Sequence, residues 1–550
     1  MTQQKSERRT VAQAKGNPGP TRGLESLGGA RATPVEQQSR QLGSRFGTAE
    51  ESPRGDADAR AVRHPSRSAR DAAPEPKRRE KKVVAATMEE VCKRLEYAVQ
   101  NVATNKGAPG PDRQSVGQVR VHWPAMRREL ETELLAGKYK PGDIRRVWIP
   151  KANGGQRPLG IPNVIDRVVQ EAIRQVLEPL YEPTFHDASH GFRPKRSCQT
   201  AIAAAKAHVE EGYEWVVDID LENFFGTVCH QRLMSRLALR VEDKRLLELI
   251  GRLLKAKVLM PDGVLVSTDE GVPQGGPLSP LLSNVVLDEL DRELSRRRHR
   301  FVRYADDCNI YVQSQRAGER VMHSVTDFIE RRLRLKVNQA KSAVAHPEER
   351  HFLGFRLRRE PLDGSVEVLL SKRSKERLDA KLRELTPRNW GSSLKACIRQ
   401  LNVYSRGWMG FFGICTRAEE RTLASLDGHI RRRLRAIQLK QWKRKKTIAN
   451  RLIQMGIKRK TAWRTVYRDN RSLWALSHTP AVDQALRNGH WTDRGLLSLA
   501  ALWRASPHRI VAPVQLVLAL GQGEVANRPA PGVTTRGPEE PYVNSTSTVP

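Results

Sequence analysis

Cysteine is scarce and scattered in this chain of 550 residues: Cys92, Cys198, Cys229, Cys308, Cys397 and Cys415 are all it has, and no CxxC pair occurs. That spacing argues against a zinc knuckle or a disulfide framework and leaves reduced, buried thiols as the expected state. Long apolar runs are missing too. The longest candidate, IVAPVQLVLAL near the C-terminus, contains a proline and falls short of the ~20 residues of a membrane helix. The first residues, MTQQKSERRT, lack the apolar core of a secretory signal. A cytoplasmic protein with no membrane partner is expected. Acidic residues are the third shortage: 61 Asp and Glu against 96 Lys and Arg leave a formal net charge of +35. So large an excess predicts a polyanionic partner, nucleic acid above all. An anionic membrane surface would call for a concentrated basic cluster, whereas these residues are spread along the chain.

Residues 1–86 are rich in Arg, Gly, Pro, Ser and Gln without apolar periodicity, and read as a disordered basic tail. Order is expected from TMEEVCKRLEYAVQNV, where Val91, Leu95 and Val99 recur at helical spacing, and a strand from RRVWIPK. VIDRVVQEAIRQVLEPLY sets Ile165, Val168, Val169, Ala172, Ile173, Val176 and Leu177 on one helical face. YEWVVDIDLENFFGTV reads as a buried strand ending in acidic residues, PLSPLLSNVVLDELDREL as a second amphipathic helix, and HFLGFRLRR as a further strand. Strands, helices and hairpins interleaved over residues 87–360 predict an α+β domain with an antiparallel sheet. Beyond Lys372 the pattern is helical and more basic, and residues 506–550 read as a loose tail.

Within RFVRYADDCNIYV, Asp306 and Asp307 stand side by side between two strand-like runs. One Asp would be an ordinary turn residue. Two repel each other, and a divalent cation would neutralise them; hard oxygen ligands suit Mg2+. A two-metal site needs a further carboxylate, and WVVDIDLENFF offers Asp218 and Asp220, which alternate along a strand and so face one side. In a two-metal displacement one ion lowers the pKa of an attacking hydroxyl and the other stabilises a leaving pyrophosphate. A solvated turn is the bland alternative for the pair.

Tyr304-Ala305-Asp306-Asp307 resembles the YADD signature of reverse transcriptases. The blocks around it resemble, in order, those of the bacterial group II intron-encoded reverse transcriptase/maturase family. RPLGIPNVIDRVVQEAI is similar to the second block, HGFRPKRS to the segment after it, VDIDLENFF to the third and GVPQGGPLSPLLSN to the fourth. YADD is similar to the fifth, LRLKVNQAKS to the sixth and FLGF to the seventh, while NKGAPGPD resembles an N-terminal block of intron-type enzymes. The resemblance runs from about residue 88 to about 500. It implies a right-hand polymerase, with fingers and palm over 87–360 and a helical thumb/maturase region over 361–505. The implied activity is copying an RNA template into DNA from a DNA primer with dNTPs; the implied partner is group II intron RNA, whose splicing the protein assists.

By the same resemblance Asp220, Asp306 and Asp307 hold two Mg2+ ions. The DxxxxF pattern selects Asp220 over Asp218, because Phe225 lies five residues beyond it. Phe225 takes the place of an aromatic gate that crowds a ribose 2′-hydroxyl; without the resemblance it would read as a core aromatic. Gln274 corresponds to a residue that contacts the incoming nucleotide, and the two glycines after it suit close backbone approach to a substrate. Lys151 and Arg157 resemble the fingertips that grip the triphosphate; Phe352, Leu353 and Gly354 resemble the primer grip. Gly226 departs from the acidic residue common at that position, which points to altered support around the site with its three ligands kept.

The run from IRRRLR to KRKK places Arg431, Arg432, Arg433, Arg435, Lys440, Lys443 and Arg444 where they would line a helical surface that follows a phosphate backbone, with Trp442 stacking on unpaired bases. Each residue alone also fits a solvated basic helix. No endonuclease pattern with paired cysteines follows, so a primer from a nick or a replication fork is expected. Two other readings stay open. One is a splicing-only maturase that has lost polymerisation, against which the intact YADD, Asp220 and PQG speak. The other is a domesticated or retron-type reverse transcriptase in phage defence, against which the basic aromatic region speaks.

Overall fold

The helix expected around Val91, Leu95 and Val99 runs Met88–Thr104, with the Thr87 side chain accepting from the Glu90 N–H at its start. It packs on the helix Val164–Tyr181, in which Val168, Val169, Ala172, Ile173, Val176 and Leu177 are buried and Ile165 is partly so. These elements belong to a computed structural model that describes residues 85–150, 155–387, 391, 393–468 and 471–506, all within one compact unit. Lys151, the C-terminal tail beyond Ser506 and all but the last two residues of the N-terminal tail lie outside the described residues.

The described strands are β1 Ile144–Pro150, β2 Gln156–Ile161, β3 Trp215–Ile219, β4 Val258–Leu259, β5 Leu265–Val266, β6 Arg300–Tyr304, β7 Asp307–Val312, β8 Ala343–Ala345, β9 Phe355–Arg359 and β10 Val366–Leu370. They form an outer sheet ordered β2-β1-β4-β5, a central sheet ordered β6-β7-β3-β8 and the hairpin β9-β10. Every pairing in the central sheet is antiparallel, as the sequence predicts; β1 and β4 in the outer sheet are parallel. The strand expected in YEWVVDIDLENFFGTV ends at its acidic residues. β3 stops at Ile219, Asn223 takes a left-handed φ of 49°, and Phe224–Thr227 is a helical turn.

Period-two alternation divides the central sheet between two cores. Val217, Ile219, Phe301, Ile310 and Val312 join the core built with Met88–Thr104, Val164–Tyr181, Lys244–Leu254 and Ser279–Arg296. Val216, Val302 and Tyr311 join a second core with Phe355, Val368 and the C-terminal helices. Among the described residues every element from Lys372 onward is helical. No described helix is long and apolar enough to cross a membrane.

Candidate active site

The Asp306–Asp307 pair sits where β6 turns into β7, with Tyr304 opposite Asp307 in the register and Ala305 held at a φ of 56°. A non-glycine residue in the left-handed region is uncommon and needs support from its surroundings. Arg303 supplies it from directly below. It is fully buried, as is its partner Asp291, and all five of its N–H groups are used. Nε and Nη2 donate to the two Asp291 oxygens at 2.7 and 2.5 Å; Nη1 donates to Asn284 Oδ1 and the Ala305 carbonyl, and Nη2 also to Ser189 Oγ. Asn284 in turn donates to the Gly191 carbonyl, and Gly191 lies so close to the turn that a Cβ there would collide with the Ala305 nitrogen. The HGFRP segment is therefore the bed of the turn. Sequence reasoning passed over Arg303, yet its signal was present: it shares a strand face with Phe301, so a buried strand forces it inward to find an acid.

Asp218 pairs across the sheet with Asn309 on β7, and Asp220 follows just beyond the end of β3. Asp307 is exposed at the turn, with protein crowded about its carboxyl. That enclosure, then the charges of Asp306, Asp218 and Asp220, pushes its carboxyl up to about 7. Asp306 is also raised, by enclosure first, while Arg157 draws it back. The KVNQAKS segment wraps the third carboxylate: Lys341 Nζ lies 3.0 Å from Asp220 Oδ2, and Ser342 Oγ accepts from the Asp220 N–H. Asp218 is held by Arg350 at 2.6 Å, and Arg350 also donates to the Lys341 carbonyl. Lys341 and Arg350 were not singled out from the sequence. Among the described residues no three His, Cys, Asp or Glu side chains are already set to hold one ion; Lys341 occupies Asp220 instead. The donor set is nonetheless all carboxylate oxygen, crowded enough that the charge of Asp220 helps to raise Asp306 and Asp307, and that chemistry fits a hard divalent cation.

Backbone hydrogen bonds stitch the nucleotide-site candidates together. Val272 N–H donates to the Phe225 carbonyl at 2.6 Å, Gly160 N–H to the Gln274 carbonyl at 2.7 Å, and Arg157 Nε to Gln274 Oε1 at 3.1 Å. Phe225 is nearly buried, with its ring edge-on to Phe224 at 5.2 Å. The glycines after Gln274 have a reason within the fold beside the expected substrate approach. A Cβ on Gly275 would strike the Gly160 carbonyl of β2, and one on Gly276 the Gln170 side chain, so both serve close packing of the chain on itself. Gly226 has a local reason as well: a Cβ would collide with the Asn223 side chain.

Phe352 and Phe355 exchange two backbone hydrogen bonds of 2.9 Å around Leu353 and Gly354, whose φ values of 52° and 87° make a tight reverse turn. Ser371 N–H and Ser374 Oγ both donate to the Gly354 carbonyl, fastening the turn to the start of the helix Lys372–Leu385. The C-terminal cations divide. Arg435 is buried, pairs with Asp483 and donates to the Leu486 carbonyl, so it does not belong to a phosphate-facing surface. Arg433 donates to Thr386 Oγ1 and to the Arg383 and Thr386 carbonyls, closing the end of Lys372–Leu385. Arg432 lies 4.1 Å over the Trp474 ring, Arg431 is half-buried, and Trp442 packs partly against the core. Lys440, Lys443 and Arg444 are exposed. Residues 434–437 and 439 are all buried, which shows this helix end enclosed on several sides, a fact that a run of arginines cannot disclose.

An antiparallel palm bearing paired carboxylates, fingers stitched to it and a helical region behind define a right-hand polymerase. Residues 149–357 match the reverse transcriptase (RNA-dependent DNA polymerase) family and residues 375–454 the group II intron maturase-specific domain. Protein YkfC of Escherichia coli (strain K12) is 32% identical over 350 residues, covering 56% of this chain and 89% of the relative. The group II intron-encoded protein LtrA of Lactococcus lactis subsp. cremoris is 29% identical over 330 residues, 46% of this chain and 55% of LtrA. The putative COX1/OXI3 intron 2 protein of Saccharomyces cerevisiae is 30% identical over 285 residues, 41% of this chain and 33% of that one. The chain belongs to the group II intron-encoded reverse transcriptase/maturase family. It is an RNA-directed DNA polymerase with a maturase domain, and its partners are nucleic acids.

Proposed function

We propose that Asp220, Asp306 and Asp307 hold two Mg2+ ions, and that Arg157, Gln274 and Phe225 receive a deoxynucleoside triphosphate opposite an RNA template for addition to a DNA primer. The observation that carries this reading is the gathering of Asp218, Asp220, Asp306 and Asp307, with Asp307 pushed up to about 7. When bound, the ions would lower the pKa of the primer 3′-hydroxyl and stabilise the leaving pyrophosphate. The chain's own groups do the rest. Arg157, drawn to Gln274 and close enough to Asp306 to act on its charge, supplies a cation for the triphosphate. The Phe225 ring fills the volume that a ribose 2′-hydroxyl would need, and the Phe352–Gly354 turn supports the primer end. Exposed Lys440, Lys443 and Arg444 would follow the phosphates of a group II intron RNA, with both activities exercised in the cytoplasm.

Primer extension on an RNA template with dNTPs and Mg2+ tests the reading, wild type beside Asp306→Ala. Extension should fall by roughly a thousandfold or more in the variant, with RNA affinity within a few-fold. No extension by either chain would move the assignment to a splicing-only maturase. A large loss of RNA affinity in Asp306→Ala would mean that the residue supports the fold.

A further inference from the structure

We infer that the helices Lys445–Gln454 and Arg459–Tyr467 carry a docking site for an unpaired nucleotide of a single-stranded nucleic acid, with Tyr467 as its stacking surface. The inference rests on the nucleic-acid reading above and adds a subsite whose aromatic pair lies beyond the residues matched by either family. The two helices pack together and bury Ile448, Ala449 and Leu452 from one and Ala462 and Val466 from the other in the second core. That packing sets the end of the second helix beside the start of the first. There Trp463 and Tyr467, one helical turn apart, stack with ring centroids 5.2 Å apart and planes within 15°.

Trp463 is anchored against the core, whereas Tyr467 is 47% exposed. A tyrosine held flat by a half-buried neighbour offers its open surface with little rotamer freedom left to lose, as a stacking platform requires. Charge completes the site. Lys445 Nζ lies 5.8 Å from the Tyr467 ring centroid, and its chain neighbours Lys443, Arg444 and Lys446 are exposed. Cations follow the phosphates on either side of a base, and the aromatic face takes the base without reading its identity. The ligand is therefore single-stranded and sequence-tolerant.

The test uses the full chain and labelled oligouridylate of about 12 nucleotides, its deoxy counterpart, and a blunt RNA duplex of the same length. Tyr467→Ala should weaken single-strand binding roughly five- to hundredfold, Tyr467→Phe should bind like wild type, and duplex binding should be unchanged. Lys445→Gln should lower the slope of log affinity against log salt by about 1. Tighter binding of the ribo-oligomer would assign the subsite to RNA, and tighter binding of the deoxy-oligomer to a DNA strand. Because Tyr467 is half exposed, its truncation opens no cavity; matched melting curves and a 4-thiouridine photocrosslink mapped to Tyr467 in the wild type guard against a folding artefact. Single-strand binding unaltered by Tyr467→Ala, or lost equally on the duplex, overturns the inference while leaving the polymerase reading intact. Absence of nucleic-acid binding by the wild-type chain would overturn both.

Discussion

The palm and the C-terminal helical region treat arginine in opposite ways. In the palm Arg303 is a single inward charge with a single acid, its position fixed by strand alternation, and all five donors are used. In the helical region arginines come in runs: Arg435 is buried, Arg433 closes a neighbouring helix, and Arg444 stands in solvent. A strand in a two-sided sheet has two faces, so one buried residue fixes the next but one. A helix touched by neighbours on several sides has no single inner stripe, and charge density says nothing about which way each cation points.

The sharpest way to break this comparison is to break the palm pair. Arg303→Met should cost about 3–5 kcal/mol, because it strands a buried carboxylate; urea denaturation reads the loss. Pairing it with Asp291→Leu should restore most of the stability while primer extension stays depressed, since the Ala305 turn has lost its donors. A single-variant cost near that of a surface residue would put Arg303 in the class of the C-terminal runs. Next, Arg435→Ala should cost about 1–3 kcal/mol by losing Asp483 and the Leu486 carbonyl, with RNA affinity unchanged in the folded protein. An effect that is small near neutral pH and grows with acid concerns His190, whose backbone N–H donates to the Arg303 carbonyl and whose imidazole burial lowers from 6.5 to about 3. The unfolded chain takes up that proton below pH 6.5 and the folded chain does not. Stability should thus be complete above pH 6.5 and fall by about 1.4 kcal/mol per unit as pH drops toward 3. His190→Gln should flatten that slope in a pH series of melts. Smallest of all, Arg444→Ala should leave stability within about 0.5 kcal/mol and reduce the salt slope of RNA binding by about 1.

What sequence could disclose follows from the same contrast. The YADD turn, the helix Val164–Tyr181 and the change to helix at Lys372 were legible because motif and periodicity are local properties. Contacts between distant segments were not. Nothing near Asp220 announces that Lys341 will neutralise it, and nothing in PQGG tells a glycine that admits substrate from one that admits β2. Gly226 is instructive: read as a departure, it sits where a Cβ would press on the side chain of Asn223 three residues before it.

The division of the central sheet between two cores has a consequence for inheritance. Val216, Val302 and Tyr311 share the second core with the helix Cys198–Glu210, with β9 and β10 and with the C-terminal helices, and the Gly354 carbonyl is tied to the first of those helices. Cutting the chain after β10 would remove the C-terminal helical part of that core and unfasten the turn at Gly354. The polymerase and maturase portions thus share one core. A descendant that needs only one of them must still keep the bulk of the other as scaffold, and relics of this family should outlive the loss of either activity as near full-length folds.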